Sequence, residues 1–426
     1  MNTKKFQFSS ISPFIAASVI IVFLVIVLKL FFIVRFDGDA RWYAAMAKGR
    51  INEVIKPFSG RFLHPFLAGW LSHYFQLDLG ISFFILDIFS LFLFFLAIFL
   101  IFKKSVNSLF LIIPLFLLPY FPSALNEIFL PDIFYIFLTA LFFLFLFYKK
   151  EALSLIILFS LFLARESTII LALILIILSW LHSKKLLAIA TLCVIGISFF
   201  ITGSISNIGQ PDIHGLSGPV YIVFKFAYNF MVNVFGARFW VNTYHTCEPI
   251  FKFFLPHAKL FGNIREAGFC GFDFSLPINT LVTLLTIFGI APLIFFYVFK
   301  TRLKDVFKDF PFWILVAVVY GVAHYFLGIV AGTGVWRIVG YSWPAFLLTT
   351  PIFTRKFFNI NKKIIIKLSL IHLFVAWLPF IIQQIIGNTN LGGILIIFVV
   401  LAFYLYALKI IKRCAKKSIR EEKFSF

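Results

Sequence analysis

Two carboxylates follow the first long apolar run of this chain, in the stretch Phe36-Asp37-Gly38-Asp39-Ala40-Arg41-Trp42-Tyr43. An arginine and a histidine come soon after, in Pro57-Phe58-Ser59-Gly60-Arg61-Phe62-Leu63-His64-Pro65. The chain holds only 17 acidic residues, so two in one short segment is an enrichment. Together these types suit group transfer at an interface: a carboxylate takes the proton of an acceptor hydroxyl, while Arg61 and His64 neutralise a departing phosphate. A plainer reading fits the same residues. Asp37 or Asp39 would cap a short interfacial helix running to Lys48, with Trp42 and Tyr43 as belt aromatics. Spacing alone does not choose between the two.

Further charges lie where an apolar chain rarely places them. Asn126, Glu127 and Asp132 occupy a later polar stretch, within reach of the same cavity if the helices bundle closely, or on an ordinary solvated loop if they do not. Arg165 and Glu166 interrupt an apolar run, and two roles are open: an ion pair with each other that fixes a hairpin, or functional charges at membrane depth. The other histidines are scattered, and among them only His64 sits where it would touch a substrate.

The elements that must position these groups are membrane helices. With 426 residues, 62% hydrophobic and 13% charged, and a mean hydropathy of +1.03, the chain cannot hide its apolar surface in a water-soluble core. Its 63 Phe read as lipid-facing residues, since lipid accepts Phe as readily as Leu. The formal charge of +21 does not imply nucleic acid. Lys and Arg gather at the ends of apolar runs, where they anchor to an anionic cytoplasmic leaflet.

Using roughly 20 residues per crossing, the runs give about twelve spans. The flanks at Lys4–Lys5, Lys103–Lys104, Lys149–Lys150, Lys184–Lys185, Lys304 and Lys362, with the basic tail, place both termini in the cytoplasm. Asp39, Asn126, Cys247 and Arg337 then lie outside. The run from Ala152 to Leu181 is about 30 residues, or about 45 Å as one helix, and would put its two lysine pairs on opposite sides. A helical hairpin turning at Arg165–Glu166 removes that conflict. The expected organisation is an all-α polytopic bundle: a transmembrane module over 1–202 with an outer catalytic loop at 35–79, an extracytoplasmic loop over 203–277, and a second transmembrane module over 278–426.

The outer loop 203–277 holds two of the four cysteines, Cys247 and Cys270, in what the topology makes an oxidising compartment. A disulfide between them is expected, contributing about 3 kcal/mol on a chain-entropy account. Trp240, Tyr244 and His245 beside Arg238 suit a sugar ring or an interfacial belt equally, and the loop is expected to roof a polar cavity. No Cys/His metal-ligand spacing occurs.

Several of these motifs, taken in order and sidedness, resemble the GT-C superfamily of polytopic glycosyltransferases, which includes the protein O-mannosyltransferases and the aminoarabinose transferase type. They are Asp37-Gly38-Asp39, the stretch Tyr43 to Gly49, Pro57 with Arg61 to Pro65, Pro131-Asp132, Arg165-Glu166, and Arg337 ahead of Pro344. The resemblance lies mainly in the N-terminal half. It implies inverting transfer from a polyprenyl-phosphate sugar on the extracytoplasmic face of a plasma or bacterial-type inner membrane. It gives the base role to Asp39 or Asp37 and phosphate contact to Arg61 and Arg337, and it places Tyr43, His64, Asn126, Glu127, Asp132, Arg165 and Glu166 as candidate substrate contacts. The partners implied are membrane lipids, the lipid-linked sugar donor, and an acceptor that is a glycan, lipid or protein. The resemblance makes no cofactor certain. Some members use a divalent metal at the acidic motif, and this sequence neither demands nor forbids one. The acidic pair departs from adjacent acids, so which carboxylate is the base stays open; Asp39, further from the apolar span, is favoured. A transporter or flippase of lipid-linked saccharides, or a polysaccharide polymerase, is the rival assignment, and no internal repeat supports the first of these.

Overall fold

A computed structural model describes residues 12–31, 36, 38–105, 113–211, 215–216, 218–243, 247–255, 262–332, 334–358, 361–387 and 389–424. Asp37, Tyr244 and His245 lie outside the described residues. The first half contains α1 (Pro13–Phe31), α2 (Ala40–Ala47), α3 (Leu63–Phe75), α4 (Leu79–Ser105), α5 (Ile113–Phe116), α6 (Tyr120–Asn126), α7 (Asp132–Phe147), α8 (Glu151–Ala164), α9 (Thr168–Leu181) and α10 (Lys185–Ser206). After α11 (Gly218–Phe235) come strands β1 (Ala237–Val241), β2 (Phe251–Phe254) and β3 (Glu266–Phe272). The chain then forms α12 (Ser275–Thr286), α13 (Ala291–Asp309), α14 (Phe312–Ala331), α15 (Val335–Gly340), a π-turn at Pro344–Leu348, α16 (Thr349–Phe357), α17 (Lys362–Ile386) and α18 (Asn390–Phe424).

Six helices are long and apolar enough to cross a membrane among the described residues, in α1, α4, α10, α14, α17 and α18. A seventh crossing is formed if α12 and α13, bent by 73°, count as one broken span. The expectation of about twelve took every apolar run as a crossing. Three of those segments, α7, α8 and α9, are apolar helices of 10–17 residues, shorter than the roughly 20 that a bilayer core requires, and Val220–Phe235, in the segment expected to be a loop, is another. The bundle is helical as expected, but segment 203–277 is more than a loop. It carries α11, which packs on α12 and α14, and an antiparallel sheet of order β1-β3-β2. Cys247 and Cys270 form a disulfide within it.

Phenylalanine serves two surfaces. Phe89, Phe200 and Phe398 are exposed on helix exteriors, as lipid-facing residues would be. Phe94, Phe95, Phe99, Phe102, Phe116 and Phe121 are fully buried, and Phe95 meets Phe116 and Phe121 edge-on at 5.4 and 5.2 Å. Such pairs contribute about 0.5–1.5 kcal/mol beyond their area, so the aromatic content also builds the core.

The bundle has two chemically different ends. Arg165 leaves α8 in an extended conformation (φ −163°, ψ 135°) and α9 starts at Thr168. Glu151, at the start of α8, forms a salt bridge with Lys184, just past the end of α9. The two helices are therefore antiparallel and return the chain to where it began. At that end Lys104 lies over Tyr148 at 4.5 Å, Lys184 over Phe312 at 5.1 Å, and Lys356 is 3.2 Å from Asp309. Lys104, Lys184 and Lys356 thus share one end. Asp132, Arg165 and Arg337 stand at or beyond the opposite ends of α7, α8 and α14, whose near ends are Phe147, Glu151 and Phe312.

Candidate functional site

At the far end of α7, α8 and α14 the charges form a floor. Arg165 Nη1 donates to Asp132 Oδ1 at 2.7 Å and also to the Tyr341 hydroxyl, which in turn donates to Asp132. Arg337 Nε donates to the other oxygen, Oδ2, at 2.9 Å. Asp132 opens α7, where the unpaired backbone N–H groups of a helix start favour a negative charge. The Arg165 guanidinium lies 4.8 Å above the Tyr341 ring. Asp132 and Arg165 are buried against opposite charge, and Arg337, partly exposed, pairs with the same carboxylate, which is the arrangement buried charges require.

Beside the floor, Arg61 donates from Nε to Glu166 at 2.7 Å and from a second nitrogen to its other oxygen. Its remaining nitrogen, Nη1, donates to the Tyr43 hydroxyl at 3.0 Å. The fork geometry of guanidinium and carboxylate makes this bidentate pair directional. Desolvation by the protein around it would push the Glu166 carboxyl up, but the Arg61 guanidinium outweighs this and holds the group, still 51% exposed, down at about 2. Arg165 and Glu166 are consequently not paired with each other, contrary to one reading of the sequence. Adjacent side chains on extended backbone point to opposite sides, and each finds its own partner.

The floor and the Arg61–Glu166 pair border a cavity of about 500 Å³, inside the roughly 300–1,000 Å³ usual for small-ligand sites. Asp39 and Arg337 reach it from the N- and C-terminal halves, and α11 adds Tyr221, Lys225, Tyr228 and Asn229. Pro57 and Phe58 form part of its wall. They are held in place because Lys56 donates to Asn207 at 2.9 Å and Ser59 and Ser206 bond at 3.2 Å. A smaller cavity of about 210 Å³, lined by Gly38, Ala40, Glu127, Phe129 and Leu130, shares Asp39 and Arg337 with the first.

Asp39 occupies the N-cap position of α2 but its side chain makes no capping bond. Gly38, with φ +52°, turns the chain immediately before it, a conformation that costs glycine little and other residues more. The Asp39 carboxylate is 41% exposed and approaches Arg337 Nη1 only to 3.9 Å. Glu127 reaches Arg337 Nε at the same 3.9 Å. Lys225 forms no ion pair among the described residues; its ammonium lies 5.6 Å from the Tyr221 ring.

Four expected contacts line neither cavity: Asp132, covered by the arginines it binds, and His64, Tyr43 and Asn126. His64 is fully buried: Nε2 is 3.1 Å from Asp87 Oδ1, and Phe83 and Phe134 cover the ring. Because α3 turns this residue onto α4, it belongs to the scaffold. Tyr43 is also fully buried and supports Arg61 from behind. Asn126 is buried at the end of α6 and lines neither cavity. In β1, strand alternation puts Phe239 and Val241 on the cavity and buries Trp240 elsewhere, with Lys252 4.5 Å above its ring.

Other site residues carried a weaker signal. Tyr221, Lys225, Tyr228 and Asn229 recur at helical spacing in the apolar stretch 218–235 and so share one face. Asn233 continues that face; its Nδ2 donates to the carbonyls of Ile329 at 2.7 Å and Gly332 at 2.9 Å. It thereby satisfies backbone oxygens at the end of α14 and fixes the turn that presents Arg337. No three His, Cys, Asp or Glu converge as metal ligands among the described residues. The carboxylates that approach Arg337, from Asp39, Glu127 and Asp132, each face a guanidinium. No protein-family model matches this chain, and no curated protein matches it.

Proposed function

We propose that this chain is a membrane glycosyltransferase that moves a sugar from a polyprenyl-phosphate donor to an acceptor hydroxyl on the extracytoplasmic face, with inversion. One observation carries the reading: Asp39, Arg61, Glu166, Lys225 and Arg337, far apart in sequence, line a single cavity. It opens at the end opposite the basic flanks. The positive-inside rule assigns those flanks to the cytoplasm, so the cavity faces outward. The resemblance to GT-C enzymes agrees in the order of its motifs.

In this mechanism Asp39 accepts the proton of the acceptor hydroxyl as that oxygen attacks the anomeric carbon. The bond from that carbon to the phosphate oxygen breaks, and its electron pair leaves on the carrier phosphate. Lys225 and Arg337 neutralise the charge that develops there, and Arg61 and Arg165 add to the positive field of the wall. Asp39 and Arg337 line both cavities, so donor and acceptor approach the same carboxylate from two sides. A positioned base of this kind contributes a factor of about 10² to 10⁴.

Incubating the purified protein with a radiolabelled polyprenyl-phosphate sugar and an acceptor mixture tests the assignment. Release of free polyprenyl phosphate with label moving to the acceptor is expected. Label crossing vesicles with the sugar-phosphate bond intact would replace transfer by transport.

A further inference from the structure

A second large cavity, of about 530 Å³, lies on the other side of α15. Trp336 lines it, and the next residue, Arg337, lines the cationic cavity. The partition between them is aromatic: Tyr120 and Trp336 are in ring contact at 6.0 Å, and Tyr120 packs on Gly340, where an added Cβ would fall 2.2 Å from its ring. The two cavities share no lining residue.

Their chemistry differs as sharply as their position. Among the described residues, no Asp, Glu, Lys, Arg or His lines the second cavity. Its polar groups include the hydroxyls of Ser123 and Thr283 and the carboxamides of Gln383 and Gln384, set among Tyr120, Trp336 and Phe380. An ionic headgroup here would lose its hydration with no counter-charge from the described residues in return, a cost of several kcal/mol. Hydroxyls and carboxamides both donate and accept hydrogen bonds, and aromatic faces match the apolar face of a sugar ring. The wall also includes Phe31, exposed at the end of α1, and Gln384, exposed near the end of α17. Both helices are candidate spans, so the mouth opens where an amphiphile in the bilayer would present its headgroup.

We propose that this second cavity is a binding site for the uncharged sugar headgroup of a membrane amphiphile, separate from the charged site and independent of the transferase reading. An octyl glucoside carrying a photoreactive diazirine in its tail is the probe, with the full chain in lipid nanodiscs and crosslinks mapped by mass spectrometry. Saturable labelling of the 120–123, 283–287 and 376–384 segments is expected, suppressed by excess octyl glucoside and not by octyl phosphate. The double substitution Gln383→Leu, Gln384→Leu removes two headgroup contacts from an exposed helix surface. It should weaken this labelling about tenfold, the effect of losing one or two hydrogen bonds, with the unfolding temperature unchanged. The substitution Arg61→Ala, in the other cavity, should leave it intact. Equal competition by octyl phosphate, or undiminished labelling in the folded glutamine variant, would overturn the assignment.

Discussion

The floor and the rim of the charged cavity hold their ions in opposite ways. On the floor, Asp132 takes hydrogen bonds from Arg165, Tyr341 and Arg337; Asp132, Arg165 and Tyr341 are buried, and Arg337 spans floor and rim. On the rim, Asp39 is 41% exposed and 3.9 Å from its nearest cation, and Lys225 has no paired carboxylate among the described residues. Charges that are fully paired hold helices in register. Charges with spare hydrogen-bonding capacity remain free for a substrate. Substitutions on the floor should therefore cost stability, and substitutions on the rim should cost activity.

The largest expected effect is on the floor. The change Asp132→Asn leaves Arg165 and Arg337 buried without their shared counter-ion and should destabilise the fold by about 3–5 kcal/mol. Chemical denaturation in detergent micelles measures this, and a stability within experimental error of the parent would show that the floor does not organise the bundle. Asn233→Ala is smaller: the carbonyls of Ile329 and Gly332 lose their donor, at about 1–3 kcal/mol, and the turn before Arg337 loosens. A fall in turnover with donor affinity retained would mark Asn233 as a positioning residue. Lys225→Met on the rim should weaken donor binding about tenfold, as expected for losing one charge-assisted contact, while stability moves by no more than about 0.5 kcal/mol. Equilibrium binding of a labelled donor reads the first quantity and denaturation the second.

The smallest effect is a pH dependence. The folded state lowers the Glu166 carboxyl from 4.5 to about 2, so the unfolded chain binds this proton more readily. The stability from the Arg61–Glu166 pair is then fully present above about pH 4.5 and is lost as the pH falls through about 2. Glu166→Gln should flatten the change in unfolding midpoint across that window. An unchanged slope would remove the pair from the account.

The sequence made the charges legible and left their partners hidden. In a chain this apolar, any ion away from a basic flank stands out, so Asp39, Arg61, Asp132, Arg165, Glu166 and Arg337 were all found. The hairpin was legible too, because the two lysine pairs had to return to one side. Pairing depends on which way each backbone segment faces. The extended Arg165 separates it from Glu166, α3 turns His64 onto Asp87, and the alternation of β1 gives the cavity Phe239 in place of Trp240. Helices of 14–16 residues are as apolar as the longer candidate spans, so apolarity alone does not tell the two apart in the sequence. Lys225 carries little signal in the sequence, being one cation inside a segment that reads as loop.

The central claim is that Asp39 is the general base. Asp39→Asn keeps the size and most of the hydrogen bonding of the side chain while removing its basicity. Single-turnover transfer of a radiolabelled sugar from polyprenyl phosphate, measured beside donor binding and unfolding, tests it most directly. Turnover should fall by about 10² to 10⁴ with binding and stability unchanged. Turnover near that of the parent protein, in a folded variant that still binds donor, would contradict it.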